Sequence, residues 1–434
     1  MSVPPRSPAP ESDRAAADAM QRLRAGATRL RRLGRLARRF DFEAPREAVD
    51  GNRVRLLISG EMYFPQLLAA IESASRSIWV ETYIFADDEV GARVAAALAA
   101  AARRGVEVYV VIDGYGGGEH ARALVAELGL HGAQLRIYRP ERWWRLERKL
   151  LRRLHRKMVV VDDSVAFVGG INIIDDHNHP GGEKGQLGPR FDFAVMLDGP
   201  IVAFVAHAAR RLWWSLSLGE RLNERAVPPP RLLRIVPPFA DGVTAQLLLR
   251  DNFRNRRSIE RAYLAEVEAS RDEVLIACAY FLPGRRMRAA LRAATRRGVR
   301  VRLLLQGRVE YAVQHYAQRA LYSTLLADGV EIHEYLPSYL HAKVAVIDGR
   351  WATVGSSNID PYSLLLAREA NVVVFDEGFA GELAAVLNRA ISEQSELVKP
   401  DDYAARGWIA KLRDGIAYLI VRLATVVLAR GRGY

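Results

Sequence analysis

The sequence of 434 residues holds one cysteine, six lysines and no uninterrupted run of 18 apolar residues. The lone Cys278, inside VLIACAYF, has no intramolecular disulfide partner, so the folded parts of the chain need no oxidising compartment and the thiol reads as a core residue. The first 40 residues also lack the apolar core of about 7 to 15 residues that marks a secretory signal. A chain neither secreted nor multi-spanning is therefore expected. Glu11, Asp13 and Asp18 fit an organellar transit peptide poorly. Aromatics are scarce at 8%, yet half of the residues are apolar, which excludes a disordered chain. Acidic residues are in deficit, 50 against 63 basic ones, and the net charge of +13 points to an anionic partner: an acidic membrane surface or nucleic acid.

What is present is a repeat. LHRKMVVVDDSVAFVGGIN (154–172) returns as LHAKVAVIDGRWATVGSSN (340–358), so that His155, Lys157, Asp162 and Asn172 recur as His341, Lys343, Asp348 and Asn358, each displaced by 186 residues. Upstream, AARRGVEVYVVIDG (101–114) matches ATRRGVRVRLLLQG (294–307), and SRSIWVETYIF (75–85) matches SRDEVLIACAYF (270–281) in pattern. Short β-branched runs such as KMVVV and KVAVI alternate with Ala-rich helical segments, which predicts an α/β class. Two similar α/β/α units, packed about a pseudo-twofold axis, would place the two motif turns face to face in one shared site. VPPPRLLRIVPPF (227–239), with five prolines, marks the connection. The predicted division is 1–50, a basic amphipathic segment; 51–226, the first repeat; 227–250, a Pro-rich linker; 251–399, the second repeat; and 400–434, a C-terminal amphipathic helix.

Two imidazoles in one site supply a nucleophile and a proton donor, and a neutral imidazole nitrogen attacks phosphorus readily. Two ammonium groups and the asparagines of the glycine turns supply donors to non-bridging phosphodiester oxygens, where charge grows in the transition state. No metal or other cofactor is called for by this set. Lysine occupies both motif positions although only 6 of the 63 basic residues are lysines, so a compact ammonium is wanted there. A carboxylate should hold each imidazole in one tautomer. Asp192, 37 residues after His155, and Glu369, 28 after His341, are the candidates. Asp162 and Asp348 complete the motif and belong to the candidate catalytic set; at the ends of their strands they are expected to fix turns and neighbouring basic groups.

The duplicated HxKx4Dx6GxxN pattern, with ETYIFADDEVG, DGYGG, SSNIDPYSL and EANVVV, resembles the phospholipase D superfamily and within it the bacterial cardiolipin synthases, over roughly residues 51 to 395. In having no N-terminal pair of hydrophobic helices it is similar to the shorter B-type members. It departs from their L-N-x-E pattern at Leu366-Ala367-Arg368-Glu369. The resemblance implies a ping-pong phosphatidyl transfer: one histidine takes the phosphatidyl group of phosphatidylglycerol, glycerol leaves with a proton from the other, and a second phosphatidylglycerol accepts the group to give cardiolipin. Such an exchange needs no nucleotide, and DGYGGGEH (113–120) lacks the GK[ST] ending of a nucleotide loop. Hydrolytic phospholipase D activity or transfer to another alcohol is the nearest alternative, and a nuclease a more distant one.

Three flanking segments favour lipid over nucleic acid. RPERWWRLERKLLRRLHRK (139–157) carries seven basic residues between 139 and 153, with Trp143 and Trp144. Residues 22–40 place Leu23, Ala27, Leu30, Leu33, Ala37 and Phe40 on one helical stripe with eight arginines elsewhere. WIAKLRDGIAYLIVRLATVVLAR is apolar except for a stripe of Lys411, Asp414, Tyr418, Arg422 and Thr425, so this helix should lie in an interface and not span it. The expected partners are an anionic phospholipid membrane and phosphatidylglycerol, not nucleic acid, with peripheral attachment on the cytoplasmic face of the inner membrane. The acceptor, the identity of the nucleophilic histidine and the oligomeric state stay open.

Overall fold

The computed structural model describes residues 48–118, 120–140, 152–179, 187–220, 236–251, 255–361, 363 and 367–429. The stripe of 22–40, Trp143, Trp144 and the first prolines of the linker lie outside the described residues.

Seven strands come from each repeat. The first supplies β1 (Val49–Ile58), β2 (Ser77–Thr82), β3 (Glu107–Asp113), β4 (Gln134–Tyr138), β5 (Lys157–Val161), β6 (Val165–Gly169) and β7 (Phe193–Asp198). The second supplies β8 (Val243–Arg250), β9 (Glu273–Cys278), β10 (Arg300–Gln306), β11 (Glu331–Tyr335), β12 (Lys343–Ile347), β13 (Trp351–Gly355) and β14 (Glu369–Phe375). Outward from the centre the order is β1-β7-β6-β5-β2-β3-β4 on one side and β8-β14-β13-β12-β9-β10-β11 on the other, the same path twice. Antiparallel pairing of β1 with β8 joins the halves, and a short β15 (Ser395–Leu397) is added at the β11 edge. The expected twofold duplication is present, with its boundaries moved. Residues 243–250 are not linker: beyond the last proline, VTAQLLLR is an uninterrupted strand former and becomes β8. Likewise β1 opens at Val49, inside the predicted N-terminal segment.

Every residue of β5 and of β12 is buried, because both faces of each strand are covered. The inner faces of the two repeats share one core, in which Met158, Val160, Val168 and Phe193 meet Leu275, Val344, Val354 and Val372. On the outer faces, helices α1 (Ser59–Ser73), α2 (Glu89–Arg103) and α3 (His120–Leu130) cover the first repeat. Helices α5 (Ser258–Ala269) and α6 (Arg285–Arg296) cover the second, and α4 (Ile201–Glu220) packs into the inner core. Matching stops end α2 and α6: Gly105 and Gly298 both take φ +88, the left-handed turn that glycine adopts without a Cβ penalty. That explains the shared RRGV of the two sequences.

After α7 (Ala312–Arg319) come α8 (Tyr322–Ala327), α9 (Glu377–Gln394), α10 (Pro400–Ala404) and α11 (Trp408–Ala429), which packs on α7. The expected amphipathic helix is there, turned the unusual way. Asp414 and Ala417 are buried, and Tyr418, Val421 and Thr425 are half-buried, while Trp408, Ile409, Leu412, Ile416, Leu419, Ile420 and Leu423 are each 50% exposed or more. Asp414 accepts from Arg406 and, at 3.0 Å, from Arg413, whose guanidinium lies 3.7 Å from the Tyr316 ring of α7. Asp414, Tyr418 and Thr425 of the polar stripe thus dock the helix, Lys411 and Arg422 stay exposed, and the apolar face points outward.

Candidate active site

Each motif begins where a strand meets a loop, and H-x-K spacing puts histidine and lysine on the same side of an extended backbone. The segment ahead of each histidine pairs with the segment ahead of the other repeat's carboxylate. His155 N donates to Arg368 O at 3.0 Å, and His341 N donates to Phe191 O at 2.8 Å. The result is a crossed arrangement: Glu369 Oε2 lies 3.1 Å from His155 Nδ1, and Asp192 Oδ2 lies 2.6 Å from His341 Nδ1. Along the chain each carboxylate follows the histidine of its own repeat. In space each orients the other repeat's ring, because the residue just before β7, Asp192, and the first residue of β14, Glu369, are delivered across the repeat boundary. Neither half-site is complete without the other.

Burial dominates the electrostatics. Glu369 is fully buried and Asp192 nearly so, and burial pushes the Asp192 carboxyl up to about 7. Burial also lowers both imidazoles below their usual range; at His155 the Glu369 carboxylate opposes the shift, whereas at His341 the charges of Lys343, Arg190 and Lys157 deepen it. Both rings therefore rest neutral. Lys157 donates to His155 O at 2.9 Å, and Lys343 donates to His341 O in the same way. Burial lowers the Lys157 ammonium to about 7 and also lowers Lys343. Asn172 Oδ1 accepts from Ile84 N, just past β2, at 3.2 Å, and Asn358 Oδ1 lies 3.9 Å from Cys278 Sγ at the end of β9, so each amide oxygen is turned to the second strand of its repeat and leaves Nδ2 for another acceptor.

Asp162 and Asp348 are not brought to the site. They sit beyond the far ends of β5 and β12, with φ of +53 and +51. Asp162 accepts from the backbone N–H groups of Ser75, Arg76 and Ser77, and Asp348 from those of Arg271, Asp272 and Glu273. A five-residue strand, roughly 3.3 Å per residue, separates each from its lysine. The motif aspartates hold the loops entering β2 and β9, which places them outside the reacting centre.

A family model described as "Cardiolipin synthase, PLD-like domain" matches residues 67–180 and 263–391. Cardiolipin synthase B of Escherichia coli K12 is 38% identical over 385 residues, spanning 86% of this chain and 88% of that protein. The chain belongs to the cardiolipin synthase family of phospholipase D-like proteins. Cardiolipin synthase A of Pseudomonas aeruginosa PA14 is 34% identical, over 82% of this chain and 70% of that protein. Among solved structures, a phosphatidylserine synthase of Haemophilus influenzae superposes with a TM-score of 0.61 at 13% identity, covering 89% of this chain and 96% of that one. At that identity the likeness is one of fold.

Several neighbours of the family's motif pair escaped the sequence reading. Ser356 Oγ donates to Glu369 Oε2 at 2.6 Å; its counterpart is Gly170, where a Cβ would come within 2.3 Å of Asp192 Oδ1. The register of GGIN against GSSN held that signal. Asp113 Oδ2 accepts from Leu154 N at 2.7 Å, and Gln306 Oε1 from Leu340 N at 3.0 Å, so both repeats pin the residue before the histidine from the end of their third strand. Tyr83 packs on His155, ring centroids 5.0 Å apart.

Proposed function

We propose that the shared site makes cardiolipin by transferring the phosphatidyl group of one phosphatidylglycerol to another, with release of glycerol, through a phosphatidyl-histidine. The observation that carries this reading is the crossed pair of histidine–carboxylate contacts, which join the two motifs into one site. In the first step a neutral imidazole nitrogen forms a bond to phosphorus, the bond from phosphorus to the glycerol oxygen breaks, and the second histidine gives that oxygen a proton. In the second step the same second histidine takes the proton of the acceptor's hydroxyl, the new P–O bond forms and the P–N bond breaks. Glu369 and Asp192 orient the rings and stabilise the imidazolium forms. Lys157, Lys343, Asn172 and Asn358 hold the non-bridging oxygens. The arriving phosphodiester anion offsets the local positive charge and raises the imidazole able to act as acid.

Peripheral attachment to an anionic membrane belongs to the same proposal. Among the described residues no helix is long and apolar enough to cross a membrane, and the exposed face of α11 supplies an apolar surface already held in place by Asp414. Labelled phosphatidylglycerol vesicles, incubated with purified protein in EDTA and analysed by lipid chromatography, should yield labelled cardiolipin and free glycerol. Phosphatidic acid alone would make the protein a hydrolase. Activity lost on chelation and restored by a divalent ion would overturn the mechanism.

A further inference from the structure

Beside His341 stands a group of buried polar side chains that the steps above leave unused. Arg190 lies two residues before Asp192 on the same extended segment, hence on the same side of the backbone, and its charge acts directly on His341. Its main chain is clamped: Arg190 N donates to Asp176 O at 3.0 Å, and its carbonyl accepts from Ser59 Oγ at 3.0 Å. The guanidinium is less well supplied. Nη2 reaches Asn178 O at 3.3 Å and stops 4.0 Å short of Glu310 Oε1, while the buried Nε donates to nothing among the described residues. Glu310, its side chain 6% exposed, accepts from Tyr280 Oη at 2.5 Å, and its charge acts on Lys343.

A structural ion pair buried to this degree normally closes to hydrogen-bond distance, because an unfilled guanidinium donor and a half-used carboxylate both carry a desolvation cost. Here a gap remains. The other half-site has its own open buried pair, Arg156 and Glu81 at 3.9 Å, but elsewhere in the frame and without a phenol. At the equivalent positions strand register puts Ala367 where Arg190 stands and Ile84 where Tyr280 stands, and the loop after β3 runs through Gly116 and Gly117 where the loop after β10 carries Glu310. The group is therefore an addition to the duplicated frame, on one side only.

We infer that Arg190, Glu310 and Tyr280 form the acceptor subsite: the carboxylate and phenol take the hydroxyls of a glycerol headgroup, and the guanidinium takes the second phosphodiester that only a phosphatidylglycerol acceptor brings. The inference rests on the reading of the site as a cardiolipin-forming centre and names what makes that centre choose a lipid acceptor. Water lacks both features. Free glycerol has the hydroxyls without the anion. Phosphatidylglycerol has both, joined through three carbons, which matches a carboxylate and a guanidinium set side by side. In the first half-reaction the departing glycerol occupies the hydroxyl part alone. A subsite on this side gives proton transfer to His341 and the bond to phosphorus to His155.

One reaction mixture separates the parts: full-length protein, phosphatidylglycerol vesicles, methanol and labelled glycerol, with cardiolipin, labelled phosphatidylglycerol and phosphatidylmethanol measured together. Arg190→Gln should lower cardiolipin relative to phosphatidylmethanol by about tenfold or more, and labelled phosphatidylglycerol relative to phosphatidylmethanol by less than about threefold. Glu310→Gln and Tyr280→Phe should lower both glycerol-derived products relative to phosphatidylmethanol. Tyr280→Phe removes a single hydroxyl and keeps the test open if the charge variants fold poorly. A parallel fall of all three products, in every variant that folds, would reduce the group to a structural support and overturn the subsite. Wild-type protein that makes phosphatidylmethanol but no cardiolipin would instead overturn the functional reading.

Discussion

The two half-sites share a backbone and differ in almost everything that surrounds it. Behind His155 the register places Arg153, Arg156, Arg250 and Arg368; at the equivalent positions behind His341 stand Tyr339, Ala342, Ser59 and Phe191. Arg368 donates to Tyr138 Oη at 3.3 Å, whereas Phe191 stacks on Tyr335, the counterpart of Tyr138, with ring centroids 5.2 Å apart. Glu81 and Arg156 occupy positions that the second repeat fills with Ala277 and Ala342; among the described residues the Glu81 carboxylate finds no hydrogen bond, and burial raises it to about 7. Duplication fixed the frame, and later substitution made one side cationic and the other aromatic with a single acid–phenol–guanidinium group. Two histidines in such different settings are not interchangeable.

The strongest way to break that view is to remove one histidine at a time. His155→Ala and His341→Ala should each lower kcat by about 10⁴-fold or more, because each supplies half of a nucleophile and acid pair. The residual chemistry should differ. If His155 bonds to phosphorus, radiolabelled phosphatidylglycerol leaves a covalent label on the His341→Ala protein and none on His155→Ala. Label on both, or equal turnover by both, would restore symmetry to the site.

The crossed carboxylates sharpen the same comparison at a smaller scale. Glu369→Gln and Asp192→Asn should lower kcat by about 10² to 10⁴-fold. By NMR, Glu369→Gln should move the titration of His155 and leave His341 in place; the reverse pattern would return each carboxylate to its own repeat. Glu369 raises the His155 pKa against burial, so its removal moves that imidazole further below the ordinary 6.5. The acid limb of kcat/KM, which reports loss of the neutral nucleophilic imidazole, should lie below pH 6.5 in the wild type and, with His155 as nucleophile, lower still in Glu369→Gln.

How much of this was legible is uneven, for physical reasons. The histidines and lysines announced themselves because one backbone turn, used twice, demands the same spacing twice. The carboxylates were legible but not which ring each one holds, since sequence separation carries no information about a strand whose leading end is handed across a pseudo-twofold axis. Arg190, Glu310 and Tyr280 have no partner in the repeat and so gave no signal at all. In the C-terminal helix the period was readable and the direction was not: a polar stripe is ordinarily taken to face water, but Asp414 is buried between Arg406 and Arg413.

That helix is the next asymmetry to test, since among the described residues no added helix docks on α3 as α11 docks on α7. Trp408→Ser combined with Leu412→Ser and Ile416→Ser alters only exposed side chains and should lower binding to anionic vesicles by about tenfold or more, from the apolar area removed. Transfer from a short-chain, water-soluble phosphodiester should persist. Unchanged flotation would assign the exposed face to something other than lipid.

The smallest effects are expected where the repeats are most alike. Asp162 and Asp348 each collect backbone donors at the mouth of a loop, and each keeps a left-handed φ that aspartate tolerates better than most residues. Backbone hydrogen bonding holds both carboxyls below the usual carboxylate range although burial opposes it. Replacing either by Ala should cost about 1 to 3 kcal/mol of stability, read from chemical denaturation, with kcat per folded molecule changed by less than about threefold. The lowered pKa values give the sign for pH: the stabilisation is complete above the unfolded-state value and fades as pH falls through the folded-state one, so the gap between wild type and variant should close in acid. The two variants should behave alike, because here the second repeat still copies the first. A loss of kcat at Asp348→Ala without loss of stability would put that aspartate back among the reacting groups, and would mean that the frame itself is less symmetric than its hydrogen bonds.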